Sequence, residues 1–316
     1  MGIRGLNNLI KKYSPEAETT TDIKHYSGSI FGIDCSILLY KFKYASKAEN
    51  SHLVGIVNRI KYYMSNGILP VFVFDGNPPD AKQNTIQKRH DNKEKLYVKI
   101  EELRKLGNDC ETEENKKVYV DEINKLSSQI IRIKKSHITE CKELLEKSGI
   151  PYCTAPADAE KYCAFLQKNG LIDYTVTDDT DALTFGCDKI IKTSINKIIE
   201  IDTRKVLENF GMTTEMFVDF CILSGCDYSD TIASVGPVTS FNIIKQYKSI
   251  DNYIESLAVK PEKFDYQTAR KIFTEFEYSN PEKFTINTYD KKDLLKFLED
   301  HDFKETIIIK FFKILN

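Results

Sequence analysis

The sequence predicts an α/β protein whose central sheet is mostly parallel and flanked by helices. Short apolar runs rich in β-branched and aromatic residues alternate with stretches of helical spacing, a pattern typical of buried parallel strands joined by helices. The three clearest runs are Ser29–Ile33, Pro70–Phe74 and Asp173–Thr177. A highly charged helical segment between residues 82 and 147 interrupts this alternation. We therefore expect a single sheet with one helical insertion.

Each predicted strand leads directly into aspartate. Asp34 follows the first run, Asp75 follows the second, and Asp179 and Asp181 come just after the third. In open α/β sheets, ligands bind in the crevice beyond the carboxyl ends of the strands. Aspartate is also common in turns and at helix N-termini, so one instance alone indicates little. Three instances together predict a site at one edge of the sheet.

Further acidic residues fall in the same part of the chain. Asp158 and Glu160 open a predicted helix, and Asp227 ends another that covers Met216–Leu223. Carboxylates near a helix start also complement the helix dipole, and a solvated acidic face is the ordinary alternative. Crowded carboxylates, however, do not all stay ionised unless cations compensate them. Oxygen ligands without clustered His or Cys favour magnesium or manganese over zinc, so the sequence indicates two-metal phosphodiester hydrolysis.

Composition excludes several classes of protein. The 316 residues carry 45 Lys+Arg and 47 Asp+Glu, a formal net charge of −2, which argues against a polybasic protein held to nucleic acid by bulk charge. With 41% hydrophobic and 29% charged residues, the chain is typical of a globular protein. Its apolar runs are far shorter than the roughly 20 residues that span a bilayer, so no membrane partner is expected. The cysteines form no CxxC pair, and the start has no secretory signal, so we expect reduced thiols in an intracellular protein.

The charged segment 82–147 predicts a helical protrusion or lid. Apolar residues recur at helical spacing over Lys82–Leu106 and Glu114–Lys147, and Gly107–Cys110 forms the natural break. The apolar seam is thin. An ordinary pair of charged surface helices fits the composition equally well.

Seven motifs, in order along nearly the whole chain, resemble the flap endonuclease/XPG family of structure-specific 5′ nucleases, and flap endonucleases most. The motifs are Met1–Leu6, Ile33–Ser36, Val73–Pro79, Gly149–Tyr152, Ala155–Glu160, Thr177–Gly186 and Cys221–Tyr228. The resemblance implies a single nuclease core over residues 1–316 with a PIN-like sheet. Within it, residues 1–81 and 148–230 form the nuclease region, 82–147 a helical arch, and 231–316 a helix–two-turn–helix region with the C-terminal helices.

The resemblance also implies the metal site. Seven carboxylates match the family's ligands for two Mg²⁺ ions, with Mn²⁺ able to replace them. They are Asp34, Asp75, Asp158, Glu160, Asp179, Asp181 and Asp227. At position 158 the family usually has Glu, so the side chain here is shorter by one methylene. Lys82 and Arg89 match the basic pair at the start of the arch. Their spacing of two helical turns places them on one face, and the resemblance implies that they contact the scissile phosphate.

Further DNA contacts are implied in the same way. Tyr40 matches an aromatic residue that stacks on a base, and Arg59 matches a gateway arginine. Gly2 lies in the family's N-terminal motif, which approaches the active site. The amides of Val235 and Gly236 match the hairpin that cradles phosphate beside a potassium ion. A core aromatic at position 40 and a solvated arginine at position 59 are the ordinary interpretations of those two residues.

The hairpin departs from the family pattern. Ser234 replaces a glycine, and Val238 and Thr239 stand where Lys and Arg are usual. We therefore expect weaker and less salt-dependent binding to duplex DNA than in relatives with the basic pair. Near the end of the chain, Glu305–Phe312 resembles a sliding-clamp peptide, although it fits a last core helix better.

The expected function is magnesium-dependent cleavage of DNA at junctions of duplex and 5′ single strand, in replication and repair. Resemblance implies a monomer located in the nucleus or at another site of DNA replication. Within the family, a 5′–3′ exonuclease and a bubble- or Holliday-junction-cleaving enzyme stay open. Beyond it, the sequence also allows a PIN-like nuclease that acts on RNA and a non-catalytic scaffold that binds DNA junctions.

Overall fold

A computed structural model of the protein describes residues 2–110, 112–127, 129–194, 197–261, 263–279 and 282–315. In these ranges one mixed sheet of seven strands forms the centre, in the order β1-β7-β6-β5-β2-β3-β4. The strands are β1 (Glu18–Thr21), β2 (Ile30–Asp34), β3 (Leu69–Phe74), β4 (Tyr152–Thr154), β5 (Tyr174–Val176), β6 (Lys189–Ser194) and β7 (Lys197–Asp202).

Most of the sheet is parallel. β4, β3, β2, β5 and β6 run in one direction, whereas β7 is antiparallel to β6, and β1 is antiparallel to β7 at the edge. Ile33 of β2 pairs with Phe72 of β3 and with Val176 of β5, so the three strands predicted from their apolar runs lie side by side. The predicted α/β class with a mostly parallel sheet is confirmed.

Helices cover both faces of the sheet. They are α1 (Leu6–Tyr13), α2 (Cys35–Ala45), α3 (Ser51–Met64), α4 (Gln83–Asn108), α5 (Glu113–Ser127), α6 (Lys135–Lys147), α7 (Ala159–Lys168), α8 (Asp181–Thr184), α9 (Thr203–Phe210), α10 (Thr214–Ser224), α11 (Pro237–Tyr247), α12 (Ile250–Ser256), α13 (Tyr266–Thr274), α14 (Lys291–Asp300) and α15 (Glu305–Leu315). Short 3-10 turns cover Pro15–Ala17, Ile23–Tyr26 and Asp80–Lys82. No helix of the described ranges is both long and apolar enough to cross a membrane.

The alternation of side chains along β3 separates two cores. Phe72 and Phe74 pack into a cluster with α2, α3, α6, α14 and α15, whereas Val73 packs on the opposite face against α7. A third cluster, which is also large, joins α1, α9, α10, α11 and α13. The N-terminal helix therefore packs with the C-terminal helices around α11, far from it in sequence.

The second helix of the insertion is shorter than the sequence predicted. α4 runs for 26 residues, or about 39 Å, and packs along α5 through a thin seam that includes buried Ile100 and Leu126. The single helix predicted over Glu114–Lys147 is wrong: α5 ends at Ser127, and α6 begins at Lys135. Consecutive β-branched residues at 130 and 131 disfavour a helix there. α6 then packs in the core with Cys141, Leu144 and Leu145 buried.

The C-terminal helix belongs to the core. Phe311 is fully buried and Phe312 nearly so, in the same cluster as α3 and α6. The segment Glu305–Phe312, which resembles a sliding-clamp peptide, is thus the beginning of α15. A clamp would bind these aromatic side chains only after they left the core.

Candidate active site

The carboxyl ends of β2 and β5 hold the deepest carboxylate in place. Asp34 ends β2 and caps α2, where its Oδ1 accepts a hydrogen bond from the Ser36 N–H at 2.9 Å. Its Oδ2 accepts a hydrogen bond from the Thr177 hydroxyl at 2.8 Å. Thr177 directly follows β5, so a side chain from the neighbouring strand fixes the second oxygen.

The end of β3 meets the start of α7. Asp75 Oδ1 accepts a hydrogen bond from the Ala159 N–H at 2.8 Å, and the Ser36 hydroxyl donates to the second Asp75 oxygen. Asp158 and Glu160 flank that amide. One carboxylate oxygen from each of Asp75, Asp158 and Glu160 lies within 4.8 Å of the others, which is a spacing compatible with shared cation ligation.

A third group of carboxylates, Asp179 and Asp181, lies at the start of the short helix α8. Asp179 Oδ1 accepts a hydrogen bond from the Asp181 N–H at 3.1 Å. Asp181 is only 3% exposed, and its buried Oδ1 has no hydrogen-bond partner among the described residues. Gly2 lies against this pair with φ +91°, and a Cβ built on Gly2 would lie 2.1 Å from Asp179 Oδ1. The backbone of residue 2 therefore approaches the site closely.

Burial and mutual repulsion make the charged forms of these carboxyls costly. Burial, and then the charge of Asp75, raise the pKa of Asp34 to about 7. Burial and the neighbouring Asp34 raise the pKa of Glu160 well above its ordinary value, and burial and Asp179 do the same for the pKa of Asp181. Asp34, Glu160 and Asp181 are therefore not fully compensated by positive charge.

Two cations reach into the cluster from the start of the insertion. Lys82 forms an ion pair with Asp158 Oδ1, and the Tyr228 hydroxyl donates to Asp158 Oδ2 at 2.9 Å. Burial, the largest single effect, lowers the pKa of Lys82, but the charge and hydrogen bond of Asp158 together with the charges of Glu160 and Asp227 outweigh it, so the pKa is raised. The second cation is Arg89, seven residues after Lys82, and its Nη2 donates to Asp227 Oδ2 at 2.6 Å.

The acidic cluster opens into a cleft of about 350 Å³ between the sheet edge and the arch. Tyr40, 39% exposed, lines the cleft, and Lys93 of α4 places its Nζ 5.7 Å from the centre of the Tyr40 ring. Apolar side chains such as Ile86 and Ile133 line the same space. The cleft thus offers carboxylates, cations and apolar surface to one ligand.

Most of the predicted site residues come together here. The cleft itself is lined by Tyr40, Asp75, Lys82, Arg89, Asp158, Glu160, Asp179 and Asp227. Asp34 and Asp181 lie buried beside them, and Gly2 touches Asp179. Arg59, on α3, is half-buried and is not among the residues that line the cleft.

The hairpin before α11 differs from its prediction. Ser234 adopts a left-handed φ of 62°, so the turn persists without the usual glycine. The Val235 side chain is buried, and its N–H donates to the Ile232 carbonyl oxygen at 3.1 Å, because the turn closes on itself. The Val235 amide is therefore engaged within the protein, contrary to the expectation of a free phosphate-binding donor. Gly236 stands at the N-terminus of α11, and Val238 and Thr239 are exposed on its first turn.

Three residues that hold the carboxylates had no assigned role in the sequence. Ser36 bonds Asp34 and Asp75, Thr177 bonds Asp34, and Tyr228 bonds Asp158. All three lie within the motifs that carry the family resemblance, directly beside or two residues from a carboxylate. Polar neighbours of that kind are the signal that would have indicated them.

The residues fit divalent cations. The buried, unpartnered Asp181 Oδ1 lacks a donor or cation, and three carboxylates already have ligand spacing. All the available ligands are carboxylate oxygens, which suit hard cations such as magnesium. Burial is the main cause of the raised pKa of Asp34 and Glu160, and repulsion from neighbouring carboxylates is the next. Bound cations would offset that repulsion.

Comparison with known proteins assigns the family. The XPG N-terminal domain matches residues 1–96, and the XPG I-region matches residues 149–227. Flap endonuclease 1 from Glossina morsitans morsitans is 35% identical over 329 aligned positions, which cover 96% of this chain and 83% of that protein. The catalytic core of Rad2, solved in complex with a DNA substrate, has a TM-score of 0.74 at 24% identity and covers 98% of this chain and 100% of its own. Flap endonuclease-1 from Methanococcus jannaschii has a TM-score of 0.70 at 22% identity, over 94% of this chain and 96% of its own. The chain therefore belongs to the XPG family of nucleases, together with the flap endonucleases 1.

Proposed function

We propose that the protein is a metal-dependent endonuclease that cuts DNA where a duplex meets a 5′ single strand, as a flap endonuclease. The observation that carries this proposal is the convergence of the carboxylates at one sheet edge with Lys82 and Arg89 from the arch. The comparison with flap endonuclease 1 supports the substrate class.

Two magnesium ions are the proposed cofactor. When bound, they would activate water and stabilise the charge that develops on the phosphodiester. Asp75, Asp158 and Glu160 would hold one side of the site, and Asp179, Asp181 and Asp227 the opposite side, with Asp34 beneath. The Asp158 side chain, which is shorter than the usual glutamate, is kept in position by Lys82 and Tyr228.

The arch residues have a second role in this proposal. Lys82 and Arg89 already lie beside carboxylates, and both line the cleft. A phosphate entering the cleft would meet both cations, which then offset the charge that grows on its oxygens. The partly exposed ring of Tyr40 is available to stack on a nucleobase next to that phosphate. The expected products are a 5′-phosphate and a 3′-hydroxyl.

Further parts of the proposal concern binding and location. The N-terminus of α11 at Gly236 would meet duplex phosphate, with potassium beside the hairpin. Because Val238 and Thr239 carry no charge, this element would bind duplex DNA weakly. We further propose a monomer that acts at sites of DNA replication, including the nucleus, without dependence on a sliding clamp.

A side-by-side cleavage assay tests the proposal. Labelled 5′-flap, gapped, bubble and four-way DNA substrates are incubated with the protein in magnesium, manganese or EDTA. We expect the 5′ flap to be cut fastest, with no cutting in EDTA. Preferred cutting of bubble or four-way DNA would favour a different activity of the same family, and no cutting of any substrate would contradict the proposed activity.

A further inference from the structure

The first helix presents a basic face to solvent. Arg4, just before α1, and Asn8, Lys11 and Lys12 within it are all exposed. Their spacings of four, seven and eight residues place them on one side of the helix, whereas Leu6, Leu9 and Ile10 are buried on the opposite side. α1 contains no acidic residue. Three positive charges are thus gathered on one short, uniformly basic surface, which we call the α1 face.

The cations of the α1 face are not consumed by carboxylates. Within the described ranges, Arg4, Lys11 and Lys12 take part in no ion pair. The Lys12 ammonium lies 4.8 Å from the centre of the neighbouring Tyr13 ring, which leaves its charge uncompensated. Free surface cations of this kind are available to an anionic partner.

The helix that carries the α1 face packs directly beside α11, which follows the hairpin. A Cβ built on Gly5 would lie 2.6 Å from Pro237 Cγ, at the first position of α11. The rings of Tyr13 and Phe241 stack at 5.1 Å with an interplanar angle of 9°, so α1 and α11 pack side by side. The Arg4 N–H also donates to the Gly225 carbonyl oxygen at 3.0 Å, which brings Arg4 next to the loop that leads to the hairpin.

The first turn of α11 carries no lysine or arginine that could contact a phosphate. Val238 is 54% exposed, and Thr239 is exposed beside it. Helices packed against each other lie about 8–10 Å apart, which is close enough for one nucleic-acid backbone to contact both. Duplex DNA carries one negative charge per about 1.7 Å of its axis, so a stretch of duplex that spans this distance has several phosphates to offer to α1 and α11.

We propose that the α1 face binds the phosphate backbone of duplex DNA and supplies the cationic contacts that the hairpin lacks. This inference rests on the proposed function for its ligand, and it assigns Arg4, Lys11 and Lys12 as binding residues. Contacts to the backbone add affinity and fix the position of the duplex without reading its sequence. In the proposed function the single-stranded flap enters the cleft, which Arg4, Lys11 and Lys12 do not line, so we expect the α1 face to bind the duplex alone.

The test measures how binding depends on salt. The triple variant Arg4→Gln, Lys11→Gln, Lys12→Gln is compared with the full-length wild-type protein on a blunt DNA duplex and on one of its single strands, in EDTA. We expect the slope of log Kd against log salt concentration to become shallower by about 2–3 on the duplex, since each lost contact removes about 0.9. The slope on the single strand should stay unchanged.

Two matched variants control the test. Lys304→Gln, Lys310→Gln, Lys313→Gln removes the same charge from exposed positions of and before α15, which packs in the cluster with α3 and α6. Arg4→Lys, Lys11→Arg, Lys12→Arg keeps the charge of the α1 face. Both should retain the wild-type slope. If the triple variant does not fold, the single variants Lys11→Gln and Lys12→Gln should each lose about 0.9 of the slope.

An unchanged slope in the triple variant would overturn the inference, as would an equal loss in the α15 variant or on the single strand. These outcomes are separate from failure of the proposed function. If the wild-type protein cuts flaps but the slope does not change, only the role of the α1 face is wrong. If the slope changes but no substrate is cut in magnesium, the nuclease proposal is wrong.

Discussion

At the residue scale, the Asp181 carboxyl is a buried charge that is costly for the metal-free protein. It is 3% exposed, its Oδ1 has no partner among the described residues, and burial followed by the charge of Asp179 raises its pKa well above the ordinary value. A group of this kind destabilises the metal-free fold, yet it becomes a good ligand when a cation is present. Function and stability therefore conflict at this position.

We predict that Asp181→Asn raises the Tm of the metal-free protein at neutral pH and abolishes cleavage. The charge that burial penalises is removed, together with a proposed metal ligand. Thermal unfolding in EDTA and in magnesium measures both effects: wild type should gain stability from magnesium, and the variant should gain far less. Asp178→Asn is the matched control, because Asp178 is more exposed and pairs with Lys41. A lower Tm for Asp181→Asn than for wild type in EDTA would contradict this account.

Gly2 gives a second test at the same scale. Its φ is +91°, and an added Cβ would lie 2.1 Å from Asp179 Oδ1, so Gly2→Ala must displace that carboxylate. A shift of about 1 Å at a reacting centre costs roughly 100-fold in rate, and we expect a loss of this order in single-turnover cleavage. Gly170→Ala is the control, with φ +68° and open space around its Cβ. Equal rates for wild type and Gly2→Ala would show that this close approach is unimportant.

At the element scale, the hairpin and first turn of α11 keep their shape without their usual chemistry. Ser234 holds the left-handed turn, and the Val235 amide bonds within it. The exposed positions 238 and 239 carry neither lysine nor arginine. In the proposed function this element contacts duplex DNA, but it contributes little charge to that contact.

Restoring that charge should strengthen duplex binding. We expect Val238→Lys, Thr239→Arg to steepen the salt dependence of duplex binding by about 1.8, from two added phosphate contacts. The neutral pair Val238→Gln, Thr239→Gln controls for changed polarity on the same turn. Titrations of a blunt duplex at several salt concentrations measure the effect. An unchanged slope in the charged variant would mean that α11 does not face the DNA backbone.

Elements differ in how well the sequence predicted them. The strands and their terminal aspartates were predictable, because strand period and polar strand ends are local patterns. The break after Ser127 was missed, because the helical spacing of apolar residues continues across it into α6. The hydrogen bonds from Thr177 and Tyr228 join residues distant in sequence from their partners, and a single sequence does not contain such pairings. Whether the seven carboxylates act as metal ligands stays a prediction.

At the scale of the whole molecule, a near-zero net charge hides a strong separation. The formal charge is −2, yet seven carboxylates belong to one candidate site. The remaining surface is modestly basic, and the α1 face is a concentrated basic patch beside the hairpin. We expect a nuclease with this distribution to bind duplex DNA weakly, with its negative charge concentrated at the candidate metal site.

The buried carboxyls should also set how stability depends on pH. The pKa of Asp34 is raised to about 7 by burial and by Asp75, above an unfolded value of roughly 3.9. Between these values the folded protein binds more protons than the unfolded one, so the free energy of unfolding falls as pH rises. We expect the metal-free Tm to decrease between about pH 4 and 7, and magnesium to reduce that decrease. A metal-free Tm that rises steadily over this interval would contradict the assignment.

The central claim is that the acidic cluster cuts DNA through bound divalent cations. The most direct measurement is cleavage of a labelled 5′ flap, with and without magnesium, by wild type and by Asp179→Ala and Asp181→Ala, with flap binding measured in parallel. The account predicts cutting by wild type only in magnesium, no cutting by either variant, and measurable binding by all three proteins. Near-normal turnover by either variant, or equal cutting by wild type in EDTA, would contradict it.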